Sequence, residues 1–288
     1  LERRKPEDLR VENLLTDDPN TALYRVVLNV IDACNRACTF CPRADKENYP
    51  NTSYNKMSLE DGVRLANTMK AMNFQGIYSI TGWGEPLLHK DVSQLIYMFK
   101  TINPEARVEL QTNGDPITPS TALDLFWYQL DKLVINIYDG PEQVAKFEEI
   151  LASFPREKWT IQHKYDMSKT YGMTLNNRAG SFISVKDKLK PLQTPIDKRC
   201  YMPFYKIAVD WNLDTYFCDY DWAKRIFLGT LQTQNMSELW MCEKMREIRE
   251  HLFEGNRSFS PCKFCDAEGL LYGEKQANVI MRHYEKQT

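Results

Sequence analysis

The sequence predicts an α/β fold built on a parallel sheet, open or barrel-like, followed by a smaller C-terminal module. Three observations carry this. β-rich runs alternate with helical patterns from residue 24 to residue 163. The alternation stops at Lys190, where Pro191 and Pro195 mark a linker. The eight cysteines fall into two groups, one on either side of a cysteine-free middle.

Each element has its own signal. Tyr24-Arg-Val-Val-Leu-Asn-Val-Ile31 reads as the first strand. Ser58 is an N-cap for a helix that places Leu59, Val63, Ala66 and Met69 on one face. Gly76–Thr81 reads as the second strand and Val92–Lys100 as the second helix. Further strands are expected at Arg107–Thr112, Lys132–Tyr138 and Trp159–His163, with helices over 120–128 and 141–152 between them. After the linker, Tyr205–Trp211 and Thr215–Cys218 form a hairpin turning at Asn212-Leu-Asp214. A helix from Ser237 would carry Met241, Met245, Ile248 and Leu252 on one face. This divides the chain into an N-terminal extension (1–22), a main domain (23–190), a C-terminal module (191–268) and a charged tail (269–288).

The totals exclude several functions. Hydrophobic content of 43% and charged content of 26% are those of an ordinary globular protein. A formal charge of −2 without a basic stripe argues against nucleic acid as a partner. The apolar runs are too short to span a bilayer and no signal-peptide pattern opens the chain, so a cytoplasmic location without membrane contact is expected. In a reducing compartment the cysteines are metal ligands or reactive thiols before they are disulfides.

Asp32-Ala-Cys34-Asn-Arg-Ala-Cys38-Thr-Phe-Cys41-Pro puts three thiolates within eight residues, directly after a strand. Three ligands leave one iron of a cubane cluster open, although the spacing also suits zinc. Thr81-Gly82-Trp-Gly84-Glu85-Pro86 ends the second strand, where glycines let a ligand approach the backbone. Gln111-Thr-Asn113-Gly114 and Asn136-Ile-Tyr138-Asp139-Gly140 end the third and fourth strands. Ligand contact and plain turn chemistry both explain these two segments. The C-terminal set, Cys200, Cys218, Cys262 and Cys265, suits a closed four-thiolate site for zinc or a fully ligated cluster.

The cysteine triad with Phe40 in its aromatic position, together with Gly82–Pro86, resembles the radical S-adenosylmethionine (SAM) superfamily. The stretches around Cys200, Cys218 and Ser237-Glu-Leu-Trp240 resemble the twitch module, the shortened form of the SPASM extension. The resemblance covers residues 24–268. It implies a partial (β/α)6 TIM-like barrel followed by a small twitch domain. It also implies two [4Fe–4S] clusters, one on Cys34, Cys38 and Cys41 and an auxiliary one on Cys200, Cys218, Cys262 and Cys265. SAM would contact Phe40, Gly82, Gly84, Glu85, Gln111 and Asn136. In Asn176-Asn-Arg178-Ala-Gly180, Arg178 would grip substrate or the SAM carboxylate, the alternative being a solvated loop arginine. Cys242 is either a buried structural thiol or a hydrogen-atom donor.

The activity implied is oxidoreduction. A 5′-deoxyadenosyl radical takes hydrogen from a small hydroxylated substrate, an aminocyclitol or sugar, and the auxiliary cluster receives the remaining electron. The alternatives are an epimerase using Cys242 on a sugar or peptide, and a non-catalytic zinc-binding module. The partners implied are a small molecule, with a peptide still open, and an external electron donor such as flavodoxin or ferredoxin.

Overall fold

The computed structural model describes residues 14–49, 53–164, 176–183, 190–270 and 272–287. Four β/α units and a fifth strand come first, in the order β1 (Arg25–Leu28), α1 (Leu59–Ala71), β2 (Ile77–Ile80), α2 (Val92–Ile102), β3 (Arg107–Thr112), α3 (Pro119–Trp127), β4 (Lys132–Ile137), α4 (Glu142–Leu151) and β5 (Trp159–His163). Then follow β6 (Lys206–Val209), β7 (Asp214–Tyr216), β8 (Phe227–Thr230), α5 (Met236–Trp240), α6 (Glu243–Glu254) and α7 (Glu274–Glu285). All strands lie in one sheet in the order β5-β4-β3-β2-β1-β6-β7-β8.

The sixth parallel strand is therefore β6, which pairs with β1 over its whole length, while β7 and β8 continue antiparallel. The C-terminal hairpin completes the main sheet and does not form a sheet of its own. Leu213, in the left-handed region (φ 68), makes its turn.

Strand alternation sorts the two faces. Leu28, Ile80, Leu110, Ile135 and Val209 point to the helical side, where they pack with Leu65, Met69, Leu95 and Phe99. The register places Arg25, Ser79, Glu109, Gln111, Asn136 and Lys206 on the other face. Packed barrel interiors are dominated by branched apolar side chains. A face this polar needs partners or a ligand. At its lower end Arg25 donates to Ser79 Oγ (2.9 Å) and Glu109 Oε2 (3.1 Å), closing that end with protein.

Two local readings are corrected, and the described parts of both termini prove structured. On α1 the buried stripe is Gly62, Leu65, Ala66 and Met69, with Leu59 and Val63 only half-buried. The helix expected from Ser237 is two helices. α5 starts from the Asn235–Glu238 capping box and stops at Met241, and α6 starts after Cys242, whose backbone is extended (φ −64, ψ 155). Neither proline nor glycine marks that break, so the apolar period reads straight through it. The charged tail contains α7, which buries Ala277, Ile280 and Tyr284 on one face. The described part of the N-terminal extension is docked, because Trp240 Nε1 donates to Pro19 O (3.1 Å) and Ser237 to Asn20 (2.8 Å). Residues 1–13 of that extension lie outside the described residues. Among the described residues no helix is long and apolar enough to cross a membrane.

Candidate functional site

Cys34, Cys38 and Cys41 lie on the loop leaving the carboxyl end of β1, all half-buried. Burial pushes the three thiols up, Cys38 to about 11, and each of Cys34 and Cys38 is raised further by Cys41 facing it. Arg36 holds the loop in place. Its guanidinium makes paired bonds to Asp115 (2.6 Å each) and to Asp139 (2.8 and 2.6 Å), the residues that follow β3 and β4. Two-point Arg–carboxylate bonds fix direction as well as distance. The Tyr138 ring lies between Arg36 (5.6 Å) and the Phe40 ring (5.1 Å).

The loop after β2 presses against the cysteine loop. A Cβ on Gly84 would lie 2.1 Å from Ile31 O and 2.7 Å from Ala33 O, and Gly82 (φ +119) is in the region that favours glycine. Glu85, expected to touch SAM, accepts through its carboxylate from Thr112 Oγ1 (2.6 Å), Asn113 N (2.8 Å) and Leu87 N (3.0 Å). It braces the loop to the end of β3. Gln111 and Asn136 both face the polar interior. Asn136 is 3% exposed, and its Oδ1 has no hydrogen-bond partner among the described residues. An unmet buried acceptor costs about 1–3 kcal/mol, which a ligand donor would offset.

Four thiols gather at the second site. Cys200, Cys218, Cys262 and Cys265 line one small enclosed cavity with Leu252, Tyr220 and Arg257. Burial pushes all four up. Among the described residues no three His, Cys, Asp or Glu side chains are grouped as ligands of one ion. Four thiols lining one cavity suit a closed four-thiolate site.

Arg178 lies between the two thiol groups. Its guanidinium sits over the Tyr220 ring (5.3 Å), and Tyr220 N donates to Cys218 Sγ (3.5 Å). The same charge favours the thiolate of Cys41 and pushes the buried Lys164 ammonium, at the end of β5, down to about 8, behind the larger effect of burial. Asn177 fixes this loop, donating to Lys190 O (2.9 Å) and Phe264 O (2.6 Å) from full burial.

Cys242 is elsewhere. It caps α6 near Arg249 and Tyr284, and the neighbouring α5 contacts Pro19, Asn20 and Thr68, which lie before β1 and in the last turn of α1. That is the end of the sheet opposite the cysteine loop. Sequence reasoning missed Arg36, Asp115, Asn177 and Arg257. Arg36 carried a signal, its place inside the cysteine triad, and Asn177 another, its place beside Arg178 in the Asn176–Gly180 segment.

An open three-thiol loop at the carboxyl ends of parallel strands, with a closed four-thiol cavity beside it, defines a protein for iron–sulfur radical chemistry. Residues 28–160 match the radical SAM superfamily and residues 200–266 match SPASM, an iron–sulfur cluster-binding domain. The chain belongs to the radical SAM superfamily, in its twitch/SPASM branch.

The chain is 24% identical over 259 residues to the S-adenosyl-L-methionine-dependent 2-deoxy-scyllo-inosamine dehydrogenase of Niallia circulans, covering 88% of this chain and 97% of that protein. It is 22% identical over 235 residues to GTP 3′,8-cyclase of Haemophilus influenzae, covering 76% of this chain and 64% of the cyclase. In fold it is similar to BtrN in complex with AdoMet and 2-DOIA, with TM-score 0.73, 23% identity and coverage of 88% of this chain and 96% of that one. The fold is also similar to AdoMet-bound anSMEcpe, with TM-score 0.55, 17% identity and coverage of 91% and 95%. The cofactors are [4Fe–4S] clusters and SAM. The residues present fit them: three facing thiols on an open loop, four around a closed cavity, and the unmet Asn136 acceptor in the interior between the strands.

Proposed function

We propose that the chain dehydrogenates a small hydroxylated substrate, an aminocyclitol or sugar, in the polar interior between its two thiol sites. Cys34, Cys38 and Cys41 would hold the SAM-binding cluster, and Cys200, Cys218, Cys262 and Cys265 the auxiliary one. When bound, these cofactors supply a 5′-deoxyadenosyl radical that takes a hydrogen atom from an unactivated C–H, and an acceptor for the electron left on the substrate. The chain's own residues do the positioning. Gly82 and Gly84 let the loop after β2 pack directly on the cysteine loop, Glu85 and Arg36 fix these loops, and Asn136 offers an acceptor to a ligand N–H or O–H. Arg178 presents its planar fork to the substrate or the SAM carboxylate.

One observation supports oxidation over epimerisation: a closed four-thiol site adjoins Arg178, whereas the eighth thiol, Cys242, lies toward the opposite end of the sheet. The activity of the Niallia circulans relative points the same way. A reduced flavodoxin or ferredoxin would supply the electron for SAM. The test is turnover of reconstituted, reduced enzyme in deuterated water with SAM and candidate aminocyclitols, sugars and peptides. Dehydrogenation removes two mass units from the product without deuterium uptake. Unchanged connectivity with one deuterium gained would mean epimerisation and would overturn the reading.

A further inference from the structure

We propose that Arg257 is the built-in counter-charge of the four-cysteine site and sets the reduction potential of the cluster held there. The inference rests on the assignment of the auxiliary cluster to Cys200, Cys218, Cys262 and Cys265.

Arg257 is 2% exposed and its side chain lines the cavity that the four thiols share. Its guanidinium donates to Lys198 O (2.9 Å), Arg199 O (2.7 Å), Ala267 O (2.6 Å) and Glu268 O (2.5 Å). These carbonyls belong to the segments just before Cys200 and just after Cys265, so one side chain ties both ends of the site together. Every acceptor is neutral. Among the described residues no carboxylate pairs with Arg257, and the Glu268 carboxylate turns outward to Lys198.

A buried guanidinium without an anion is costly, and arginine cannot shed its proton to escape that cost. The other cations near the thiols differ. Lys206 is paired with Asp219, so its charge is largely cancelled at the site. Arg249, also fully buried, stacks over Trp240 and does not line the cavity. The anion that fits Arg257 is the site itself.

Four thiolates outweigh the charge of an iron–sulfur core, and each electron accepted adds one more negative charge. A fixed cation in a low-dielectric wall stabilises the reduced form most, and so raises the potential. That suits a cluster that must take one electron from a substrate radical, while the substrate proton leaves separately.

The experiment uses full-length protein reconstituted with both clusters, with SAM added so that the first cluster's resonance shifts and the second can be followed alone. Potentiometric titration by electron paramagnetic resonance compares wild type, Arg257→Gln and Arg257→Lys. The expected result is a Gln variant with at least about a tenfold lower ratio of reduced to oxidised cluster at a set potential, about 59 mV for one electron, and a Lys variant close to wild type. A Gln variant with the wild-type midpoint, or a Lys variant shifted as far as Gln, overturns the proposal. If Arg257→Gln fails to retain the second cluster, Arg257→Lys decides. Retention at the wild-type midpoint supports charge, whereas loss or a tenfold shift means the hydrogen-bond fork is what matters. Iron counting separates the underlying assignment, since wild type with only one cluster would refute the four-cysteine site before any potential is measured.

Discussion

Arg178 stands at a junction between the two thiol groups. Its backbone is left-handed (φ 49) and held by Asn176 Oδ1 (3.0 Å), while its charge faces Tyr220, Cys41 and Lys164. Arg178→Lys keeps charge and backbone but loses two-point contact. Iron content should stay normal while turnover falls at least about tenfold, on the order of 1.4 kcal/mol in the barrier. Wild-type kinetics in that variant would return Arg178 to the role of a solvated loop residue. Cys242 is the opposite case, half-buried at the start of α6 beside Arg249 and Tyr284. Cys242→Ser should leave product formation within about twofold of wild type and cost at most about 1 kcal/mol of stability, since a half-buried thiol-to-hydroxyl change leaves volume nearly intact. A long-lived substrate radical in that variant, absent from wild type, would reinstate the thiol as a hydrogen donor.

Elements act here through the loops they present. The loop after β2 and the cysteine loop after β1 touch at Gly84, where the atoms facing an added Cβ are backbone oxygens of Ile31 and Ala33. Side chains could turn aside, but these cannot, and Ala33 O already accepts Glu85 N (2.7 Å). Gly84→Ala should therefore displace the triad. Formation of 5′-deoxyadenosine from SAM should drop at least about tenfold, with a stability loss of about 1–3 kcal/mol and the second cluster's iron retained. Undiminished SAM cleavage would show that the close approach is irrelevant.

This scale also explains what the sequence could and could not reveal. The first five strands and both thiol groups were legible, because β-branched runs and close cysteine spacing are local signals. The break at Cys242 was not, since Met241 and Met245 keep the apolar period across it. Helix α7 hid behind its charge, though Ala277, Ile280 and Tyr284 fall at helical spacing. Arg36 stood out by its place in the triad, but its partners Asp115 and Asp139 did not, and neither did Arg257, because these contacts are made between distant loops.

At the scale of the whole molecule, the sequence suggests two modules, yet the sheet passes through both without interruption. β6 adds to β1 with all four residues in register, and β1 is thus an interior strand only when the C-terminal region is present. Side chains reinforce the join: Asn29 donates to Asp210 (2.7 Å), Asp210 pairs with Lys224, and Trp83 Nε1 donates to Asp219 O (3.1 Å). At the far end Trp240 and Ser237 hold the segment that precedes β1. Removing the C-terminal region would expose the backbone edge of β1 and leave Val27 and Leu28 uncovered on that side, a costly and aggregation-prone state. We propose that the two regions therefore unfold as one cooperative unit. Thermal unfolding of the full chain followed by far-UV circular dichroism and by tryptophan fluorescence should give one transition, coincident by both probes. A chain ended at residue 190 should fail to yield soluble monomer. Two resolved transitions, or a soluble folded fragment, would mean that the C-terminal region is an independent domain that merely docks against β1.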